Sequence, residues 1–220
     1  MRDFDALFDI AAKRHGGPEA LNAKLQPSTP AQDLANIPED RWLSIFTKGV
    51  FQAGFNWKVI ENKWDGFETA FYGFDVGRCA FMDDETFDAL LQDTRIVRNG
   101  SKIATVRDNA SFILSLREQG GVSKVIADWP AQDFIGLLSL LKSEGSRLGG
   151  TTGQYTLRFM GKDSFILSRD VVARLIAEGV VDKAPTSKTA MRAVQAAFNT
   201  WSEQSGRGLT DISRTLALSV

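Results

Sequence analysis

The sequence predicts an all-α fold, and three observations carry that reading. Apolar residues recur at three- and four-residue spacing along nearly the whole chain, as in Phe4, Leu7, Phe8 and Ala11. Glycine, proline and small polar residues punctuate those runs at intervals suited to helix ends. No stretch of any length alternates apolar and polar residues as a half-buried strand would.

In chain order, the first helix begins at Phe4 and ends at Gly16-Gly17, and Pro18 to Leu25 reads as a second, short one. Pro27-Ser28-Thr29-Pro30 reads as a turn. Pro38 suits a first helical position and opens a helix through Trp42, Ile45 and Phe46. Gly54 lets the chain bend before Trp57, Val59 and Ile60. Phe67, Phe71 and Phe74 suggest another helix, closed near Gly73. Asp83 or Asp84 caps a helix bearing Phe87, Leu90 and Leu91. Asn99-Gly100-Ser101 caps a long helix with Ile103, Val106, Ala110 and Ile113, stopped by Gly120-Gly121. Trp129-Pro130 precedes a helix with Phe134, Leu137, Leu138 and Leu141. Then come clustered glycines (Gly145, Gly149, Gly150, Gly153), an apolar segment from Tyr155 to Met160, and a polar break at Gly161-Lys162-Asp163. A helix spans about Ser168 to Ala177, and another, capped by Thr186 or Ser187, carries Val194, Phe198 and Trp201. Gly206 and Gly208 separate it from a last helix with Ile212 and Leu216.

Composition narrows the chemistry. The 220 residues, 43% hydrophobic and 24% charged, suit one folded unit of two helical lobes. The expected lobes are 1–40 plus 155–220, and 41–154, with a hairpin near 148–153. No apolar run approaches the ~18 residues a bilayer crossing needs, and the start lacks a signal peptide's basic-then-apolar pattern, so the expectation is a cytoplasmic protein without membrane contact. One cysteine, Cys79, and one histidine, His15, leave no internal disulfide and no Cys/His zinc set, so neither metal nor cofactor is expected. Net charge is −1, yet residues 1–93 hold 9 basic and 16 acidic side chains while 94–220 hold 17 and 11. Such polarity either presents a basic face to a polyanion or is neutralised across a shared core.

Two stretches rise above this background. The first runs from Phe51-Gln52-Ala53-Gly54-Phe55-Asn56-Trp57, through Phe74-Asp75, to Ile96-Val97-Arg98 and Lys102-Ile103. In order and spacing it resembles the bacterial 3-methyladenine DNA glycosylase I family of the helix-hairpin-helix superfamily, which carries Gln-Ala-Gly-x-x-Trp, Phe-Asp and Ile-(Ile/Val)-Arg…Lys-Ile segments. The second, Leu148-Gly149-Gly150-Thr151-Thr152-Gly153-Gln154-Tyr155, falls where that family has Gly-Thr-Thr-x-x-Tyr. Glycines between two helices let backbone N–H groups approach a phosphate; equally, they end many helices with no ligand.

The resemblance implies a helix-hairpin-helix glycosylase fold and a monomer that acts on double-stranded DNA holding an alkylated base. The base would be extruded and held by aromatics, with Trp57, Phe55 and Gln52 as base-binding candidates. Gly150, Thr151, Thr152, Gly153, Arg98 and Lys102 are the candidates for the DNA backbone. The superfamily's catalytic aspartate falls at Asp170, twenty residues after Gly150 at an expected helix start, with Asp163 a weaker candidate. Asp170 could equally serve that helix's first turn electrostatically. Where superfamily lyases carry a hairpin lysine this chain has Gln154, so base removal without strand cleavage is implied.

The chain also departs from the pattern. The family's zinc ligands have no equivalents, aspartate standing at Asp170-Val171-Val172 near one of them. The family's glutamate before Gln-Ala-Gly, which helps recognise the modified adenine, is replaced by Gly49. A glycosylase for alkylated purines such as 3-methyladenine is the leading reading. Against it stand a catalytically inactive module that binds damaged or bent duplex DNA, and a helical protein-interaction domain.

Overall fold

The computed structural model describes residues 1–25 and 28–220. Pro27, part of the expected turn, lies outside them. Among the described residues the fold is all-α: α1 Phe4–Arg14, α2 Pro18–Asn22, α3 Ala31–Ala35, α4 Glu39–Gln52, α5 Trp57–Asn62, α6 Trp64–Ala70, α7 Val76–Ala80, α8 Asp84–Gln92, α9 Gly100–Ser115, α10 Val122–Asp128, α11 Phe134–Glu144, α12 Thr151–Phe159, α13 Arg169–Ala177, α14 Lys188–Ser205 and α15 Leu209–Leu218.

Helix starts follow local chemistry. The side chains of Asp3, Asn56, Asp75, Asp83, Asn99, Ser168 and Ser187 each accept from a backbone N–H in the first turn of the helix they precede. That satisfies donors the helix itself cannot. Two expectations are corrected. Phe67, Phe71 and Phe74 do not share one helix: α6 stops at Ala70, and the chain reverses through Tyr72, Gly73 and Phe74 at φ of 56°, 66° and 62°. Stacking of Phe71 on Phe74, centroids 5.5 Å apart, holds the reversal. The apolar segment from Tyr155 is not separate; it is the body of α12.

The chain forms two compact units. The first comprises 1–29, 129–137 and 161–220. Its core is an aromatic row in which Phe165 meets Phe134 at 4.9 Å and Phe198 at 4.5 Å, and Phe198 meets Trp201 at 5.8 Å. Trp201 donates its indole N–H to the Arg2 carbonyl at 3.0 Å, so the large ring is buried without an orphaned donor. Burial pushes the Glu178 carboxyl up, but the backbone N–H and guanidinium of Arg2 and the guanidinium of Arg174 outweigh it and hold it below the ordinary carboxylate value.

The second unit comprises 30–128 and 138–160. Trp42, Phe46, Phe51, Phe67, Ile103, Val106, Ile113 and Leu157 are buried in it. Trp42 donates to the Ser123 hydroxyl at 2.8 Å. The Glu68 carboxylate accepts from both terminal guanidinium nitrogens of Arg41 at 2.9 and 3.1 Å, the Ser44 hydroxyl and the Trp64 indole. This network ties α6 to α4.

Candidate DNA interface and base site

The hairpin belongs to the second unit, where the chain leaves α11, crosses residues 145–150 and enters α12. Close approach explains its glycines. A Cβ at Gly145 would lie 2.7 Å from the Leu141 carbonyl oxygen, and one at Gly153 would lie 2.4 Å from that of Leu148. Gly150, with φ 61° and ψ −140°, occupies a region nearly closed to other residues. Arg147 takes φ 59° although it carries a side chain. Asn109, fully buried on α9, holds the turn: it accepts from the Ser146 N–H at 2.8 Å and donates to the Ser146 carbonyl at 3.1 Å. No side chain caps the N-terminus of α12, and Gly150 and Thr151 are exposed there. First-turn N–H groups with positive potential are suited to an anion. Thr152 is half-buried. Gly153 is buried, and the structure gives it a packing role against Leu148 rather than a place at the surface.

Arg98 is exposed just ahead of α9, but Lys102 is only 6% exposed. Its ammonium donates to the carbonyls of Val50, Phe51 and Ala53 at 2.8, 3.2 and 2.6 Å. It also stands 4.4 Å from the centre of the Phe55 ring. Burial, with the charge of Arg147 second, lowers its pKa. The expectation that Lys102 meets a phosphate is therefore corrected: it closes the C-terminal end of α4, where unpaired carbonyls and the helix dipole favour a cation.

The Gln-Ala-Gly-x-x-Trp segment spans the end of α4 and the start of α5. Gly54, at φ 77°, turns the chain, and Asn56 caps α5 by accepting from Lys58 N–H at 2.9 Å. That sets Trp57 at the head of α5 with 45% of its surface exposed. Its ring meets Tyr155 and Phe159 of α12 edge-on, at 5.7 and 6.2 Å. Phe159 is itself exposed. Phe55 is exposed beside Lys102, and Gln52 is buried, its amide donating to Glu61 at 3.1 Å. The buried Gln52 side chain thus supports Glu61 rather than standing at the surface. At Gly49 an added Cβ would lie 2.4 Å from the Thr156 methyl and 3.3 Å from that of Thr152. Here α12 lies directly on α4, and threonine methyls fill the space beside the glycine.

Asp170 belongs to the first unit, exposed in the first turn of α13. Ser168 caps that helix, so Asp170 is not its hydrogen-bonding cap. Asp163 is corrected outright. Its two carboxylate oxygens accept from the Leu209 and Thr210 N–H groups at 3.0 and 2.8 Å, capping α15 from a distance.

Sequence reasoning nominated none of four residues that the structure places around the candidate site. Tyr155 and Phe159 were visible at i, i+4 once the segment is read as helical. Asn109, an amide on the buried stripe of α9, is the polar residue in an apolar register that marks an anchor. Glu61 carried no distinguishing signal.

Residues 39–135 match the family described as methyladenine glycosylase. The chain is 32% identical over 69 residues to the DNA-3-methyladenine glycosylase 1 of Escherichia coli (strain K12), an alignment covering 31% of this chain and 37% of that protein. It is 29% identical over 69 residues to the DNA-3-methyladenine glycosylase of Haemophilus influenzae (strain ATCC 51907 / DSM 11121 / KW20 / Rd), with the same coverage. The match thus spans little more than a third of each curated relative's length. A variant of 3-methyladenine DNA glycosylase I solved in complex with 3-methyladenine superposes with a TM-score of 0.52 at 21% identity, over 70% of this chain and 91% of that one. That likeness shows the fold.

Proposed function

Taking the chain as a divergent member of the methyladenine glycosylase family over residues 39–135, we propose that it hydrolyses the N-glycosidic bond of alkylated purines such as 3-methyladenine in duplex DNA. The observation that carries this reading is Trp57. Within the matched segment the indole is not core; it is half-exposed at the head of α5, in the same unit as the hairpin.

The chemistry follows in steps. The N–H groups at Gly150, Thr151 and Thr152 hold a phosphate of the damaged strand, and Arg98 adds charge. These contacts fix register without reading sequence. The damaged nucleotide is rotated out of the stack. An N3-alkylated adenine is a cation, which an indole face attracts. It is also a good leaving group, so little acid assistance is needed. Asp170 stabilises the positive charge that develops on the sugar as the bond breaks, or orients the attacking water. Gln154 offers an amide where a Schiff base requires an amine, so strand cleavage does not follow.

The test is mass spectrometry of bases released from methylated duplex DNA. The expected result is free alkylated purine, with Asp170→Asn releasing it at least ~100-fold more slowly while binding duplex normally. Salt-dependent duplex binding with no base released overturns hydrolysis, and near-normal turnover by Asp170→Asn returns that residue to a structural role.

A further inference from the structure

We propose that Glu61 is the carboxylate that reads the alkylated base, accepting a hydrogen bond from its exocyclic amine while the ring lies against Trp57. This inference rests on the reading above and names the group that gives it specificity.

Three observations lead there. Trp57 and Glu61 stand at i and i+4 on α5, one turn apart on one face. Glu61 is held from beneath: Oε1 accepts from the Gln52 amide at 3.1 Å and Oε2 from the Lys48 ammonium at 2.8 Å. Gln52 is itself buried, and Lys48 is tied down 4.9 Å from the centre of the Trp64 ring. The carboxylate is therefore oriented, yet its side chain stays 51% exposed. Each carboxylate oxygen can accept a second hydrogen bond, so the outward lone pairs are open to a ligand.

The third observation concerns α4. The space at Gly49 is filled by the Thr156 and Thr152 methyls, so no acceptor reaches the site from that position. An oriented carboxylate acceptor is offered instead by α5, one helical turn from Trp57. An aromatic cation bearing an N–H group matches the pair: its positive ring suits the indole face, and its N–H makes a charge-assisted bond to the carboxylate. A neutral purine offers only the N–H.

The experiment compares the full chain with Glu61→Gln, which keeps the side chain's size, on methylated and unmodified duplexes. The expected result is at least about a tenfold loss in the rate of 3-methyladenine release, the usual worth of a hydrogen bond to a charged group. Affinity for unmodified duplex and the melting temperature should stay unchanged. Equal release by wild type and Glu61→Gln overturns the role of Glu61 and leaves the glycosylase reading standing. If the wild type releases nothing, the glycosylase reading falls and the readout becomes preference for methylated over unmodified duplex. A preference lost in Glu61→Gln then supports Glu61 as the reader, and a wild type without preference overturns it.

Discussion

At the scale of single residues, space and burial decide roles that residue type leaves open. Gly49 is the sharpest case. A Cβ there would stand 2.4 Å from a methyl of Thr156, a fully buried, β-branched side chain with little freedom to move. Gly49→Ala should cost about 1–3 kcal/mol in urea denaturation. Thr156→Ser removes the offending methyl but keeps the hydroxyl that bonds the α12 backbone. The double variant should recover at least half of that loss, and strict additivity would mean that the contact is not the cause. The sequence showed that position 49 lacks a side chain, but not what fills its place, because Thr156 lies more than a hundred residues on. Lys102 was misread for a related reason. Its spacing from Arg98 suggests a cationic face, but its carbonyl partners sit some fifty residues earlier, at a helix end no local pattern reveals.

At the scale of helices, most starts were legible because the capping residue adjoins its helix. Asp83, Asn99 and Ser187 are examples. Asp163 was not, since it caps a helix 46 residues later, at a point where Gly208 has no side chain to do so. A Cβ at Gly208 would press on that carboxylate at 2.8 Å, so glycine and cap belong together. Asp163→Ala should therefore lower stability by about 1–2 kcal/mol in a thermal melt. Base release per folded molecule should be unchanged. A folded Asp163→Ala protein without activity would return Asp163 to the chemistry. The hairpin was visible as a glycine cluster between two helices, whereas the extent of α12, which takes in the apolar segment from Tyr155, was not. Its nine residues carry glycine and three threonines, which dilute the apolar period.

For the whole molecule, a net charge of −1 means that the duplex binding proposed above must come from local groups such as Arg98 and the hairpin N–H groups rather than from overall charge. Duplex affinity should fall linearly with salt on logarithmic axes, and Arg98→Ala should reduce the slope by about one while weakening all sequences alike. An unchanged slope would remove Arg98 from the interface. Fold class was legible here because helical periodicity is local and repeats from end to end. The division into units was harder to read, because the first unit gathers three separated stretches. In it, α1 packs against α14 and α15, and the Phe4 N–H donates to Gln204 at 3.0 Å. This has a consequence for biosynthesis. On a ribosome, every residue of the second unit has been made once Met160 is added, while Phe4 and Leu7, made before any of them, still lack α14 and α15, the helices that α1 packs against.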